Sequence, residues 1–390
     1  MRNNTRTLRL AAAMILVLAM MAMVGCSAVV TDPVVAKVGD VEINYSTFYN
    51  AFSSYAQYGI IDTSTAITAQ EGRDMIMDML VESVVPVAQA HAEGITLTDE
   101  EAEAAKAEAL ATMESYLASY VDDTIEDEAE RNAAAIKAFD AAYKQAGFTY
   151  EGLLADMEKE FMDNSMGNKL LDQLYSTIAE PSDEDIQARY DEELAADAEA
   201  YAADPSQYHN DDMYYTYYGT LRPLQAPEGL YYVKHILIRN AETADEEDKD
   251  RDYQALAQEV MDKVNAGEDF DALIEEYNED PGMETYTEGY VIGVDFEGVY
   301  DEPFQKAAAE LKKEGDVSGM VEGANGIHII KRYGDISTEP VALEEVKEDI
   351  KNMILSELQG ELYETKVDEW KENLEIVTYD KRVQYVGVNQ

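Results

Sequence analysis

The spacing of apolar residues changes twice along this 390-residue chain, and those changes decide what it can fold into. Up to about residue 203 the apolar positions recur at helical spacing, as in Met75, Met77, Met79, Leu80, Val84 and Val85, and again in Leu153, Leu154, Met157, Phe161, Leu170, Leu171 and Leu174. Between Leu230 and Tyr333 short β-type runs alternate with short helical ones. From Leu343 to about Leu374 the helical period returns through Val346, Ile350, Met353, Ile354, Leu358, Leu362, Val367 and Trp370. The pattern predicts an α+β unit of about a hundred residues, the size of one domain, set beside a mainly helical body.

Local signals sharpen this. Val34–Val38 and Val41–Ile43 flank Gly39-Asp40 and read as a hairpin, after which Asn44 or Ser46 caps a helix carrying Phe48, Tyr49 and Phe52. The Met-rich helix closes near Gly94, and Thr98 with Glu101 forms a capping-box pattern for the next, which runs to about Tyr120. Further helices are predicted from Ala134 to Ala146, from Tyr150 to Ile178, and from Pro181-Ser182-Asp183-Glu184-Asp185 through Ile186 and Tyr190. From Tyr208 to Tyr232 the chain holds seven tyrosines with Pro223 and Pro227 between them, and no helical period is legible. This stretch reads as a linker or edge extension; packing against its neighbours and a peptide-binding surface both remain open. In the mixed region the order is strand (Tyr231–Ile238), two helices (Tyr253–Val264 and Phe270–Tyr277), strand (Val291-Ile292), helix (from Pro303) and two strands joined at Asn325-Gly326. A last short strand is predicted at Ile376–Tyr379.

Composition excludes several functions. With 81 acids against 29 bases the formal net charge is -52, which rules out nucleic acid as the main partner, because phosphate backbones must be neutralised by Lys and Arg. One cysteine forbids an internal disulfide and a cysteine zinc site, and four histidines leave little for a His-rich metal centre, so neither metal nor cofactor is expected.

That single cysteine has another explanation. Arg2, Arg6 and Arg9 precede an uninterrupted apolar run from Leu10 to Val24, the layout of a secretory signal and shorter than the roughly 20 residues that span a bilayer. The run ends in Met23-Val24-Gly25-Cys26, which resembles the lipobox of bacterial lipoproteins, with Met23 where Leu is usual. The resemblance implies cleavage before Cys26 and a diacylglycerol on its thiol. Losing Met1–Gly25 removes three arginines and no acid, so the mature surface would repel anionic headgroups and only the acyl chains would hold the membrane.

Two of the four histidines lie in β-type runs, Val233-Lys234-His235-Ile236-Leu237-Ile238 and Gly326-Ile327-His328-Ile329-Ile330-Lys331. Alternation puts His235 on the face of Val233 and Leu237, and His328 on that of Ile330. Should the strands be neighbours, the imidazoles meet; taken singly, either reads as a satisfied core residue. Asp280 likewise reads, on its own, as a solvated loop acid.

His235-Ile236-Leu237, Phe270–Leu273, Asp280-Pro281-Gly282, Gly289–Gly293, Pro303-Phe304, Gly315–Ser318 and Gly326–Ile330 stand in the order and approximate spacing of the parvulin peptidyl-prolyl isomerases. The resemblance covers about Gly229 to Tyr333. It implies a four-stranded antiparallel sheet with helices, a prolyl pocket of Ile292, Tyr300 and Phe304, paired histidines His235 and His328 at its floor, and Asp280 beside the rotating bond. The upstream Val35–Asp40 hairpin with its helices, and the long final helix, are similar to PrsA- and SurA-type foldases. The whole chain therefore resembles a lipid-anchored foldase at the extracytoplasmic face of the cell membrane, whose partners are unfolded exported polypeptides; a homodimer stays open. The implied division is a signal peptide (1–25), a lipidated tether (26–33), a mainly helical chaperone domain with the Tyr-rich linker (34–228), the isomerase domain (229–336) and a C-terminal helix completing the chaperone domain (337–390).

Two positions depart from the family. Gly289-Tyr290-Val291-Ile292-Gly293 stands where Gly-Gly-Asp-Leu-Gly is common, and Tyr300 where an aliphatic residue is frequent. Tyr290 is expected to distort the loop if it must adopt positive φ, and Tyr300 to narrow the pocket with its polar tip. The alternative reading is accordingly a binding-only chaperone with a silent isomerase domain, in which Met75, Met77, Met79 and the tyrosines near Tyr214 supply adaptable surface.

Overall fold

A computed structural model describes residues 32–122, 124–144, 147–245, 248–293, 296 and 298–388. The expected leader, its expected cleavage site and Cys26 lie outside these. The chain divides into two compact units, one from the described parts of Met1–Ala179 and Leu358–Gln390, the other Glu180–Glu357.

In the first unit, β1 (Val34–Val38) is the middle strand of an antiparallel sheet, between β2 (Val41–Asn44) and a strand from the far end of the chain, Ile376–Thr378. Its core holds Val35, Val38, Phe48, Ile76, Leu80, Val85, Val367, Trp370, Val383 and Val386. The buried Arg73 guanidinium donates to the Val386 carbonyl at 2.6 Å, tying helix Ala66–Glu93 to the C-terminal segment. That helix starts at a Thr65/Thr68 capping box and stops at left-handed Gly94. A second cluster, of Ala109, Met113, Leu117, Ala135, Phe139, Leu153 and Met157, joins helices Asp99–Leu117, Glu128–Tyr143 and Tyr150–Tyr175. Among the described residues no helix is long and apolar enough to cross a membrane.

Three local expectations are corrected here. Met77 is core, 6% exposed, and Met79 packs against the same cluster, so only Met75 of the three offers open surface. The helix expected from Ala134 begins at Glu128, because the Asp127 carboxylate accepts the Glu130 N–H at 2.9 Å. Helix Tyr45–Gln57 has Asn44 at its N-cap position, yet the cap is supplied from outside: Asp32 accepts the Ser46 N–H at 2.8 Å.

In the second unit the strand order is β4-β3-β6-β5, all antiparallel, from β3 (Tyr231–Arg239), β4 (Tyr290–Ile292), β5 (Val321–Gly323) and β6 (Gly326–Asp335). Period-two alternation divides β3 and β6 between two environments. Ile236, Ile238, Ile327 and Ile329 pack against helices Tyr253–Ala266 and Phe270–Tyr277. Tyr231, Val233 and Ile330 face Ile292 and helix Glu302–Glu310. The fold is the expected α+β one, and every predicted element of this region forms.

The Tyr-rich stretch is the exception. Gln207–Tyr218 is a helix, ended by left-handed Gly219. Its apolar face is a single ring, Tyr208, packed edge-on against Tyr201 at 5.5 Å, and one buried position per three turns leaves no period to read. Tyr214, Tyr215, Tyr217 and Tyr218 are exposed on it.

Phe139 is fully buried and meets Tyr120 and Tyr150 edge-on. Phe139→Ala should lower stability of this cluster by about 3–5 kcal/mol, through lost burial and a residual cavity. Amide exchange of helices Glu128–Tyr143 and Tyr150–Tyr175 should accelerate while β3 and β6 keep their protection.

Candidate functional site

The register of β3 on β6 builds the site. His235 pairs with Ile330 and Leu237 with His328, so the two histidines are diagonal neighbours on one face. Their rings stack at 14° with centroids 5.1 Å apart, and the two Nδ1 atoms are 3.0 Å from each other. Both residues are buried, at 3% and 5% exposure.

A third group decides which nitrogen carries which proton. The Asp280 carboxylate lies 2.7 Å from His235 Nε2. Such an oxygen accepts, so neutral His235 donates from Nε2 and its Nδ1 holds a lone pair; His328 must then donate from Nδ1. Among the described residues His328 Nε2 is buried without a partner, as suits a bare lone pair better than an orphaned N–H.

Asp280 is held on all sides. Asn278 Oδ1 accepts from Leu237 N–H at 2.9 Å and from Asp280 N–H at 3.2 Å, which fastens the turn to β3. Gly282 N–H donates to Asp280 Oδ1 at 3.0 Å, and the Tyr290 hydroxyl donates to Oδ2 at 2.7 Å. Burial pushes this carboxyl up, but the hydrogen bonds from His235, Tyr290 and the Gly282 amide outweigh it and bring the value down to about 2. The expectation of a solvated loop acid fails: the side chain is 19% exposed and part of the network. His328 moves down to about 4, by burial first and then by the neighbouring His235.

Aromatic rings close over this floor. Phe304, presented by the Pro303-started helix Glu302–Glu310, stands edge-on to His235 at 5.1 Å and to His328 at 5.2 Å. Tyr300 lies 5.6 Å from Phe304, and Ile292 is fully buried in the same cluster. All six residues singled out in this domain thus converge.

Both departures resolve differently from the expectation. Gly289 alone takes positive φ, 114°, where a Cβ would meet the Val233 carbonyl oxygen at 2.6 Å; Tyr290 is ordinary strand paired with Val233. The Tyr300 hydroxyl donates to the Val291 carbonyl at 2.9 Å and lies 3.1 Å from His209 Nδ1, so its polar tip is tied back. Sequence reasoning missed Asn278, His209 and the reach of Tyr290 to Asp280; only the Asn-x-Asp spacing of the turn signalled the first.

Residues 235–334 match the family model of the PPIC-type PPIase domain, and residues 1–119 that of the SurA-like N-terminal domain. The second unit therefore contains a parvulin-type peptidyl-prolyl cis-trans isomerase domain, and the chain is similar to foldases that join such a domain to a SurA-like one. Among its relatives, a foldase protein PrsA from Clostridium botulinum is 29% identical over 273 residues, 67% of each chain. Foldase protein PrsA 1 of Listeria innocua is 35% identical over 116 residues, 30% of this chain and 32% of that one. The crystal structure of foldase protein PrsA from Streptococcus pneumoniae aligns over 90% of this chain and 97% of its own, at 16% identity and a TM-score of 0.28.

The depressed His328 value makes stability depend on pH. Between pH 6.5 and about 4 the unfolded chain takes a proton that the folded site refuses, so stability falls as pH falls. At roughly 1.4 kcal/mol per unit the loss reaches about 3 kcal/mol. Amide exchange of β3 and β6 should show it between pH 7 and pH 4.5, and His328→Leu should flatten it. A slope unchanged in that variant would contradict the assignment.

Proposed function

We propose that this chain is an extracytoplasmic, lipid-anchored foldase that holds unfolded exported polypeptides and speeds cis-trans isomerisation of their Xaa-Pro bonds, with His235, Asp280 and His328 as the catalytic group and Ile292, Tyr300 and Phe304 as the prolyl pocket. The observation that carries it is the buried imidazole pair under Phe304, fixed by an ionised Asp280. Cleavage before Cys26, lipidation there and attachment to the membrane rest on the leader sequence.

The chemistry asked of the site is small. Rotation crosses about 18–20 kcal/mol because amide resonance must be broken, and each roughly 1.4 kcal/mol removed gives a factor of ten. No bond to the enzyme forms. Rings of Phe304 and Tyr300 grip the pyrrolidine, so that binding favours the twisted amide over either planar one. The planar amide polarises its oxygen negative; a fixed carboxylate nearby penalises that polarisation, and the penalty is larger in a site from which water is excluded. Uncatalysed isomerisation takes tens to hundreds of seconds, long enough to limit folding after export.

The binding-only alternative has one observation in its favour: Phe304, Ile292 and both histidines are almost fully covered by the chain's own side chains, Tyr290 among them. One comparison separates the readings. Under the isomerase reading the intact chain accelerates cis-to-trans relaxation of a short Xaa-Pro peptide, and His235→Ala or Phe304→Ala lowers kcat/KM by about 10- to 100-fold, the loss of roughly 1.4–2.8 kcal/mol. Suppression of client aggregation should survive in both variants. A wild-type relaxation rate equal to that in buffer would leave only the chaperone.

A further inference from the structure

We propose that Tyr290 is a positioning residue of the prolyl site, its hydroxyl holding Asp280 against His235 and its ring forming one wall of the pocket; this rests on the isomerase reading. Four observations meet at this side chain. Its hydroxyl and His235 Nε2 bind the same oxygen of Asp280, each at 2.7 Å, so the carboxylate is clamped from two directions. Its ring lies 5.6 Å from His235, 5.6 Å from Tyr300 and 6.4 Å from Phe304, placing it beside the residues that would grip the proline. Pairing with Val233 fixes its backbone on β4, so the ring is aimed by the sheet rather than by a loop. The space for the hydroxyl is made by Gly282, where a Cβ would come within 1.9 Å of it.

The match of Gly282 to Tyr290 is a two-residue device. Tyr290 reaches Asp280 only because the turn after Pro281 has no side chain at that point, and the same Gly282 donates its N–H to the other carboxylate oxygen. The groups facing Asp280 are thus His235 from β3, Tyr290 from β4 and the Gly282 amide from the turn, with His328 behind His235 and Tyr286 and Tyr300 against the Tyr290 ring. None of these is a cation other than a protonated histidine. The phenol is therefore the neutral donor that keeps the carboxylate charged and aligned when the imidazoles are neutral.

The test uses the intact chain. Tyr290→Phe keeps the ring and deletes one oxygen. It should move the Asp280 carboxyl titration, followed by carbon NMR of the side chain, upward by about one pH unit, the worth of one hydrogen bond to a charge. In the peptide assay it should lower kcat about 3- to 10-fold with KM nearly unchanged. Tyr290→Gly should raise KM as well, because a wall is gone. Gly282→Ala, which displaces the hydroxyl without touching the tyrosine, should reproduce the titration shift of Tyr290→Phe. An Asp280 titration and kcat that Tyr290→Phe leaves in place would overturn the proposal, as would a Tyr290→Gly chain that binds peptide more tightly and turns it over faster, the behaviour of a plug. A wild type without isomerase activity whose Asp280 titration still moves in Tyr290→Phe would sink the isomerase reading and leave the clamp standing.

Discussion

The hydrogen bond between His235 and Asp280 is the constraint on which the rest of the site depends. A buried imidazole with no fixed partner has either tautomer open to it; one whose Nε2 faces a carboxylate 2.7 Å away must carry a proton there. That choice passes through the 3.0 Å Nδ1 contact to His328 and leaves its far nitrogen bare. One charge at the edge of the pocket thereby orients the protons of the two rings beneath it. The carboxylate stays charged because its donors outweigh its burial.

The sheet makes this arrangement rigid. β3 and β6 each carry isoleucines on one face and the site on the other, so the helices behind the sheet fix the backbone that aims the histidines. A one-residue slip of β6 would send His328 among Ile236 and Ile238 and bring Ile327 or Ile329 to the pocket floor. Rings then continue outward from the floor, from Phe304 through Tyr300 and Tyr290 to Tyr286 and Tyr217, each within 6.5 Å of the next. The exposed end of that series lies on the helix Gln207–Tyr218, in the same unit.

Legibility followed the range of the interaction. Alternation in two strands, each decided by its own residues, was enough to place His235 and His328 on definite faces, and the capping signal at Thr98 marks a helix start that the structure keeps. What could not be read is set at a distance. Tyr290 meets Asp280 through the β3–β4 register and an empty Cβ at Gly282, and no periodicity records either. The cap from Asp32 to Ser46 spans a whole hairpin. The Tyr-rich helix escapes because its single buried ring carries no period, and the binding-only alternative puts Met77 at the surface because a three-methionine alternation says nothing of which side faces the core.

Nitrogen NMR of the histidine rings in the intact chain tests the central claim most directly. The account predicts, near pH 7, one ring protonated only at Nε2 and coupled to a carboxylate, which is His235, and one protonated only at Nδ1, which is His328, the latter staying neutral until about pH 4. A His235 that carries its proton on Nδ1, or a His328 that gains a second proton near pH 6.5, would contradict it.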